Sequence, residues 1–262
     1  MRRGLWSALF TVLGVAGAAD AAPLAVVNAG FEDIDGELVF NEFTFGPPPG
    51  WSLYDPAGIT AGGAGAVYFV GTLTPFVTDP VGAPGVFTNI PAGAPEGQRV
   101  AINFNFAGSG GQGEYGLEQT LSAVLSAHTR YTLEVDVINI ASGTARSGDF
   151  FDLSGFPGYR VELRAGDVLL ASDQNSLAAT LGEGQVGTSV VSFASGASPL
   201  GLGQALSLRL VNLNVVDPAH PGANLEVDFD NVRLTAAPIP LPAAAPLLLG
   251  ACGLLGFRRR RV

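Results

Sequence analysis

Through the middle of the chain, apolar and polar residues alternate with a period of two. In Tyr131-Thr132-Leu133-Glu134-Val135-Asp136-Val137 the odd positions are apolar and the even ones polar, and Tyr159-Arg160-Val161-Glu162-Leu163 and Leu206-Ser207-Leu208-Arg209-Leu210 repeat the pattern. Successive side chains of a β-strand point to opposite faces, so each run buries one face and turns the other to solvent. Gly, Pro, Asn and Asp punctuate these runs. Together they predict strands over Leu24 to Asn28, Leu38 to Phe45, Ala66 to Val70, Arg99 to Phe106, Tyr115 to Leu121, Arg130 to Ile140, Tyr159 to Arg164, Val168 to Ser172, Thr188 to Ala194, Leu206 to Asn214 and Leu225 to Thr235. Gly166-Asp167 between two such runs reads as a hairpin turn. In the last run the apolar positions Leu225, Val227 and Phe229 change parity to Val232 and Leu234, so a bulge near Asp230-Asn231 is needed to keep both sets inward. Thr72 to Pro95 and Ala141 to Gly158 break the rhythm with Pro and Gly and read as long surface loops, where binding concentrates.

Composition agrees with a loop-rich all-β protein: 36 Gly and 18 Pro in 262 residues, with only 14% charged. All 13 basic residues are Arg. Six lie at the two ends, which leaves the body strongly acidic, at about −15. That sign argues against nucleic-acid binding and favours divalent cations. The only Cys is Cys252, so residues 22–236 contain no disulfide and no thiol nucleophile.

The ends read as addresses. Met1-Arg2-Arg3, an apolar run from Leu5 to Val15 and the small-x-small site Ala19-Asp20-Ala21 form the pattern of a secretory signal peptide over residues 1–21. From Leu241 to Phe257 the chain carries no charge, close to the lower length of a bilayer-spanning helix, and Arg258, Arg259, Arg260 and Arg261 follow. With Ile239-Pro240-Leu241-Pro242-Ala243 ahead of it, the segment 237–262 resembles the C-terminal PEP-CTERM sorting signals, in particular the V-P-L-P-A variant. The resemblance implies recognition of Pro240, Leu241, Pro242, Ala243 and the arginines by an exosortase in the inner membrane. It further implies delivery to the cell surface or extracellular matrix, where exopolysaccharide is made.

The body, residues 22–236, carries a second resemblance. Asn28-Ala29-Gly30-Phe31-Glu32, Pro49-Gly50-Trp51 and Val227-Asp228-Phe229-Asp230-Asn231-Val232-Arg233-Leu234 look like the ends of galactose-binding-like jelly rolls, an antiparallel β-sandwich in which first and last strands lie side by side. That architecture implies carbohydrate binding and a structural calcium where the two ends meet. Glu32 and Asp230, with carbonyls nearby, are the expected oxygen ligands. Tyr68, Phe151 and Tyr159, and beside them Trp51 and Tyr54, are the expected sugar platforms, with Trp51 the one expected to pack in the core.

No catalytic constellation stands out. His128 and His220 lack a partner at zinc-site spacing, and Ser195 lacks the frame of a nucleophile elbow. Asp149 and Asp152, flanking Phe150-Phe151, are the acids to check for glycoside chemistry. The expectation is therefore a non-enzymatic, exported sandwich binding carbohydrate, with a ligand-free matrix protein or a secreted glycoside-active enzyme as alternatives.

Overall fold

The computed structural model describes residues 20–34, 43–75, 90–106, 113–144 and 148–240, and every regular element among them is a β-strand. In chain order the strands are β1 (Ala22–Leu24), β2 (Ser52–Tyr54), β3 (Tyr68–Leu73), β4 (Val100–Asn105), β5 (Tyr115–Val124), β6 (Thr129–Asn139), β7 (Gly143–Thr144), β8 (Phe150–Phe151), β9 (Tyr159–Ala165), β10 (Val168–Gln174), β11 (Gln185–Ala194), β12 (Ala205–Asn212) and β13 (Leu225–Pro238). One sheet has the order β11-β6-β13-β4-β3, with β1 on the end of β13, and the other runs β10-β9-β12-β5-β2. Both are antiparallel throughout.

The two sheets close over one core. Leu133, Val135 and Val137 of β6 and Val227 and Phe229 of β13 meet Val161 and Leu163 of β9 and Leu208 and Leu210 of β12, all fully buried. Removing this much apolar surface from water drives the sheets together. At one end the seam is polar. Asn103 Nδ2 donates to the Leu210 carbonyl at 3.2 Å, and Asn212 Nδ2 donates back to the Asn103 carbonyl at 2.8 Å. Asn105 Nδ2 reaches Asn214 Oδ1 at 2.7 Å. Buried amides must be satisfied, so these reciprocal bonds pin one register between the sheets. The outer face of the five-stranded sheet is ionic: Arg160 bonds Glu114 and Glu162, and Arg209 bonds Glu118.

The expected strands recur with shifted ends, and β9 and β10 form the Gly166-Asp167 hairpin. The bulge in β13 falls where the parity change requires it. Its register against β6 shifts between Asp230 and Arg233, with Asn231 at φ 51°. β1 ends at Leu24 rather than Asn28, because the Gln119 side chain takes both the N–H and the carbonyl of Val27. Strands β2, β7 and β8 are two or three residues long, too short for periodicity to reveal. Of the run expected at Leu38 to Phe45, Phe43 forms a bridge to Leu73 while residues 35–42 lie outside the described residues. The signal peptide also lies outside them apart from residues 20 and 21, as does the sorting segment beyond Pro240. No described helix is long and apolar enough to cross a membrane, and the expected C-terminal span lies outside the described residues.

Candidate active site

The six-stranded sheet carries a second apolar cluster on the face turned away from the sandwich interior. Alternation places Ala101 of β4 inward, whereas Val100, Ile102 and Phe104 point outward to join Phe69 and Leu73 of β3 and Leu153. A solvated outer face would carry polar residues at these positions. Here they line a cleft of about 460 Å³, its open mouth included, with Phe43, Phe45, Phe69, Phe104, Phe106 and Phe151 as its aromatic walls. The rings interlock: Phe104 lies 5.0 Å from Phe69, 4.8 Å from Phe106 and 5.9 Å from Phe151, centroid to centroid.

One wall comes from outside the sheet. Residues 43–46 lie along the β3 edge, with Thr44 N bonded to the Thr72 carbonyl and Gly46 N to the Val70 carbonyl, both at 2.8 Å. They can do so because position 71 is Gly: a Cβ there would collide with the Thr44 carbonyl. Phe45 thereby sits 4.7 Å from Phe69.

Among the described residues a single ionisable side chain lines this cleft. Glu226 of β13 is 6% exposed, and its cross-strand neighbour is Phe104. Burial among apolar groups disfavours its charged form and pushes it up to about 7. Asp228, two residues along on the same face, stands between Ile102 and Ile138 on the neighbouring strands and is fully buried. Neither of its oxygens accepts a bond from another polar group among the described residues. Burial, with the adjacent Glu226, raises Asp228 well above the carboxylate range. Two neighbouring carboxyls in a dry site resist ionising together, so the pair keeps a proton more readily than free carboxyls do. The arrangement is a proton donor set in an aromatic, water-poor pocket.

The residues singled out from the sequence are scattered. Tyr68 and Tyr159, expected as sugar platforms, are instead core residues. Tyr68 packs edge-on against Tyr115, and the Tyr159 hydroxyl donates to Asp173 Oδ2 at 2.6 Å. Their rings belong to the inward parity of β3 and β9, so no ligand reaches them. Trp51 packs on Phe31 in the core, and Tyr54 lies under Arg209. Phe151 does line the cleft, while its neighbour Phe150 is exposed. Asp149 and Asp152 are not among the residues that line the cleft, although Asp152 stands between Phe151 and Leu153, which do. Asp152 stays a carboxylate, because the Ser154 bonds hold it below its usual range.

Glu32 and Asp230 both face the loop 96–99. Glu32 Oε1 accepts the amides of Gln98 and Arg99 at 2.8 and 2.7 Å, and Asp230 Oδ2 accepts that of Glu96 at 2.7 Å. No three carboxylate, imidazole or thiol groups among the described residues converge as a ready cation cage. Of the sorting residues, Pro240 is described and Leu241, Pro242, Ala243 and Arg258 to Arg261 lie outside the described residues.

Comparison with known proteins shows the family of the chain. The model of the HpiC1-like family, the HpiC1 cyclase family, matches residues 22–235. The chain belongs to the HpiC1-like cyclase family. An apo cyclase from Fischerella sp. is 36% identical, with a TM-score of 0.67, covering 84% of this chain and 98% of that one. A cyclase from Fischerella sp. TAU in complex with 4-(1H-indol-3-yl)butan-2-one is 37% identical over 84% of this chain and 100% of the other, with a TM-score of 0.67. A third, the Stig cyclase Fisc from Fischerella sp. TAU in complex with (3Z)-3-(1-methyl-2-pyrrolidinylidene)-3H-indole, is 38% identical over 84% and 100%, with a TM-score of 0.65. Among curated proteins none matches the chain.

Membership of the cyclase family corrects the expected identity and function of the chain. The family is one of enzymes and not of sorting-signal or galactose-binding-like proteins, so the non-enzymatic, carbohydrate-binding matrix reading is overturned. Glu226, the acid that lines the cleft, looks in the sequence like any solvent-facing position of an alternating strand. The available signal was the row Glu226, Asp228, Asp230, three acids on one face of a strand whose other face carries Val227 and Phe229.

Proposed function

We propose that this chain is a cyclase that takes an apolar, indole-bearing substrate into the aromatic cleft and starts ring closure with a proton from Glu226. The observation that carries the reading is the single buried acid in the cleft, poised near 7 among six phenylalanines. An acid with that pKa is protonated often enough to donate and acidic enough to do so at neutral pH. Proton transfer to the bound substrate leaves a cation. An electron-rich atom of the same molecule attacks it, closing the ring, and loss of a proton from the product cation restores neutrality. The product is then an isomer of the substrate. Phenyl faces stabilise cations, and a cleft without other polar groups keeps water from trapping the cation before the ring closes. The relatives solved with indole compounds support the substrate class.

Incubation with indoles bearing an unsaturated side chain is expected to give a product of unchanged mass and new retention time. The rate should fall about tenfold per pH unit above pH 7, as Glu226 loses its proton. No conversion, or a rate that climbs with pH across that range, overturns the reading. The sheet orders further support jelly-roll connectivity for residues 22–236, with first and last strands paired through Ala22 and Ala236.

Calcium is a separate proposal for the ends of the sandwich. It is supported by Asp230, fully buried and pushed up to about 8 by that burial, beside the Glu96 amide it binds. A Cβ at Gly30 would strike the Glu96 carboxylate and one at Gly97 that of Glu32, so both acids lie close against the backbone of these two segments. A hard cation would be held through Glu32, Asp230 and nearby carbonyl oxygens. Melting in excess Ca²⁺ should exceed melting in chelator by several degrees, because a ligand at about a hundred times its Kd adds roughly 2.7 kcal/mol. Equal midpoints would remove the cation from the description.

A further inference from the structure

We propose that Thr44, Thr72 and Arg99 form a polar latch that positions Phe43 and Phe45 as one wall of the cleft, and so sets how tightly and in which pose a flat aromatic substrate is held. The inference rests on the cleft being the substrate site. Residues 43–46 are held to the rest of the protein by few backbone bonds, the two to β3 and the Phe43 to Leu73 bridge. Their rings are only partly buried: Phe45 is 58% exposed, and Phe43 packs half-buried against the edge of the cluster. A segment with so few buried contacts opens at low free-energy cost unless something else restrains it.

The side chains supply that restraint. Thr44 Oγ1 accepts the Thr72 amide at 2.9 Å and lies 3.0 Å from Thr72 Oγ1. Arg99, 7% exposed, directs Nε and Nη2 to Thr72 Oγ1 at 3.1 and 2.8 Å and Nη1 to Thr74 Oγ1 at 3.1 Å. A guanidinium can only donate, so the Thr72 oxygen accepts both bonds, and its own hydrogen is left to point at Thr44 Oγ1. The hydroxyl pair therefore has a fixed direction. Thr72 donates to Thr44 with both its amide and its hydroxyl, and the buried Arg99 orients the hydroxyl. Gly71 is the space that lets the segment lie close enough for these bonds. None of these four residues lines the cleft; they act through the rings of Phe43 and Phe45.

Thr44→Val keeps the shape and removes the hydroxyl, whereas Thr44→Ser keeps the hydroxyl. Binding of 4-(1H-indol-3-yl)butan-2-one and turnover of an indole substrate are measured for both and for Gly71→Ala. Thr44→Val is expected to raise the ketone Kd and KM by roughly three- to tenfold, the worth of one or two hydrogen bonds. It should also change the ratio of cyclised products, while the pH dependence set by Glu226 stays as in the wild type. Thr44→Ser should behave as wild type, and Gly71→Ala should match or exceed the effect of Thr44→Val. Wild-type Kd, KM and product ratio in Thr44→Val, or equal impairment in the Val and Ser variants, overturns the latch. The Thr44 pair decides the matter even where Gly71→Ala does not fold. A wild-type protein that neither binds the ketone nor turns over an indole overturns the cleft reading itself, and the latch with it.

Discussion

Glu226→Gln is expected to lower kcat/KM by roughly 10² to 10⁴, the usual contribution of a positioned general acid. The amide keeps the size and the hydrogen-bonding outline of the acid but has no proton to give. Binding of the indolyl ketone should change little, because the rings of the cleft are untouched, so the loss falls on kcat. The same substitution should raise stability at alkaline pH. Glu226 moves from an ordinary value of 4.5 to about 7 on folding, so the folded chain binds more protons than the unfolded one across that window. Stability therefore declines as pH rises from 4.5 to 7, and at pH 8 the whole penalty is present. It is on the order of 3 kcal/mol, less the part that falls on the neighbouring Asp228, whose titration is linked to it. Gln does not titrate, so at pH 8 the variant should melt above the wild type, and at pH 4.5 the advantage should disappear. An active variant, or one less stable than wild type at pH 8, would show that Glu226 neither gives the proton nor bears the cost of burial.

Phe104→Ala should be the most damaging change in the aromatic walls. The residue is 3% exposed and touches three other rings, and it stands cross-strand from the acid. Truncation removes its transfer energy and leaves a void against a rigid sheet, a loss of about 3 to 5 kcal/mol. For a body of this size that corresponds to a drop of roughly 6 to 20 °C in melting temperature. Affinity for the indolyl ketone should fall with it, and Phe104→Leu should recover most of the stability but only part of the affinity. A fall of less than about 2 °C for Phe104→Ala would mean that the cluster repacks freely and does not form a defined wall.

The architecture was legible because period-two alternation reports directly on burial. Tyr131 to Val137 and Leu206 to Leu210 had to be strands of a sandwich, and the parity change after Phe229 placed a bulge in β13 that the register confirms. The cleft was not legible for the same reason. In β4, Ala101 and Ile102 are both apolar, and a run apolar on both faces says only that both are covered, not that one covers a substrate. Segment 43–46 owes its place to Gly71, more than 20 residues away in sequence, and no local pattern announces that contact. The tail misled in another way. A string of about 25 residues beyond the family match carries no information on the chemistry of residues 22–235.

β13 lies between β6 and β4 at the centre of its sheet, yet it is the last of the described strands. One of its faces seals the core through Val227 and Phe229, and the other presents Glu226 to the cleft. A growing polypeptide cannot complete the six-stranded sheet until β13 has left the ribosome. Long-range closure of this kind leaves β4 and β6 as unpaired edges in the meantime. A chain that stopped before β13 would lose the keystone strand and Glu226 together.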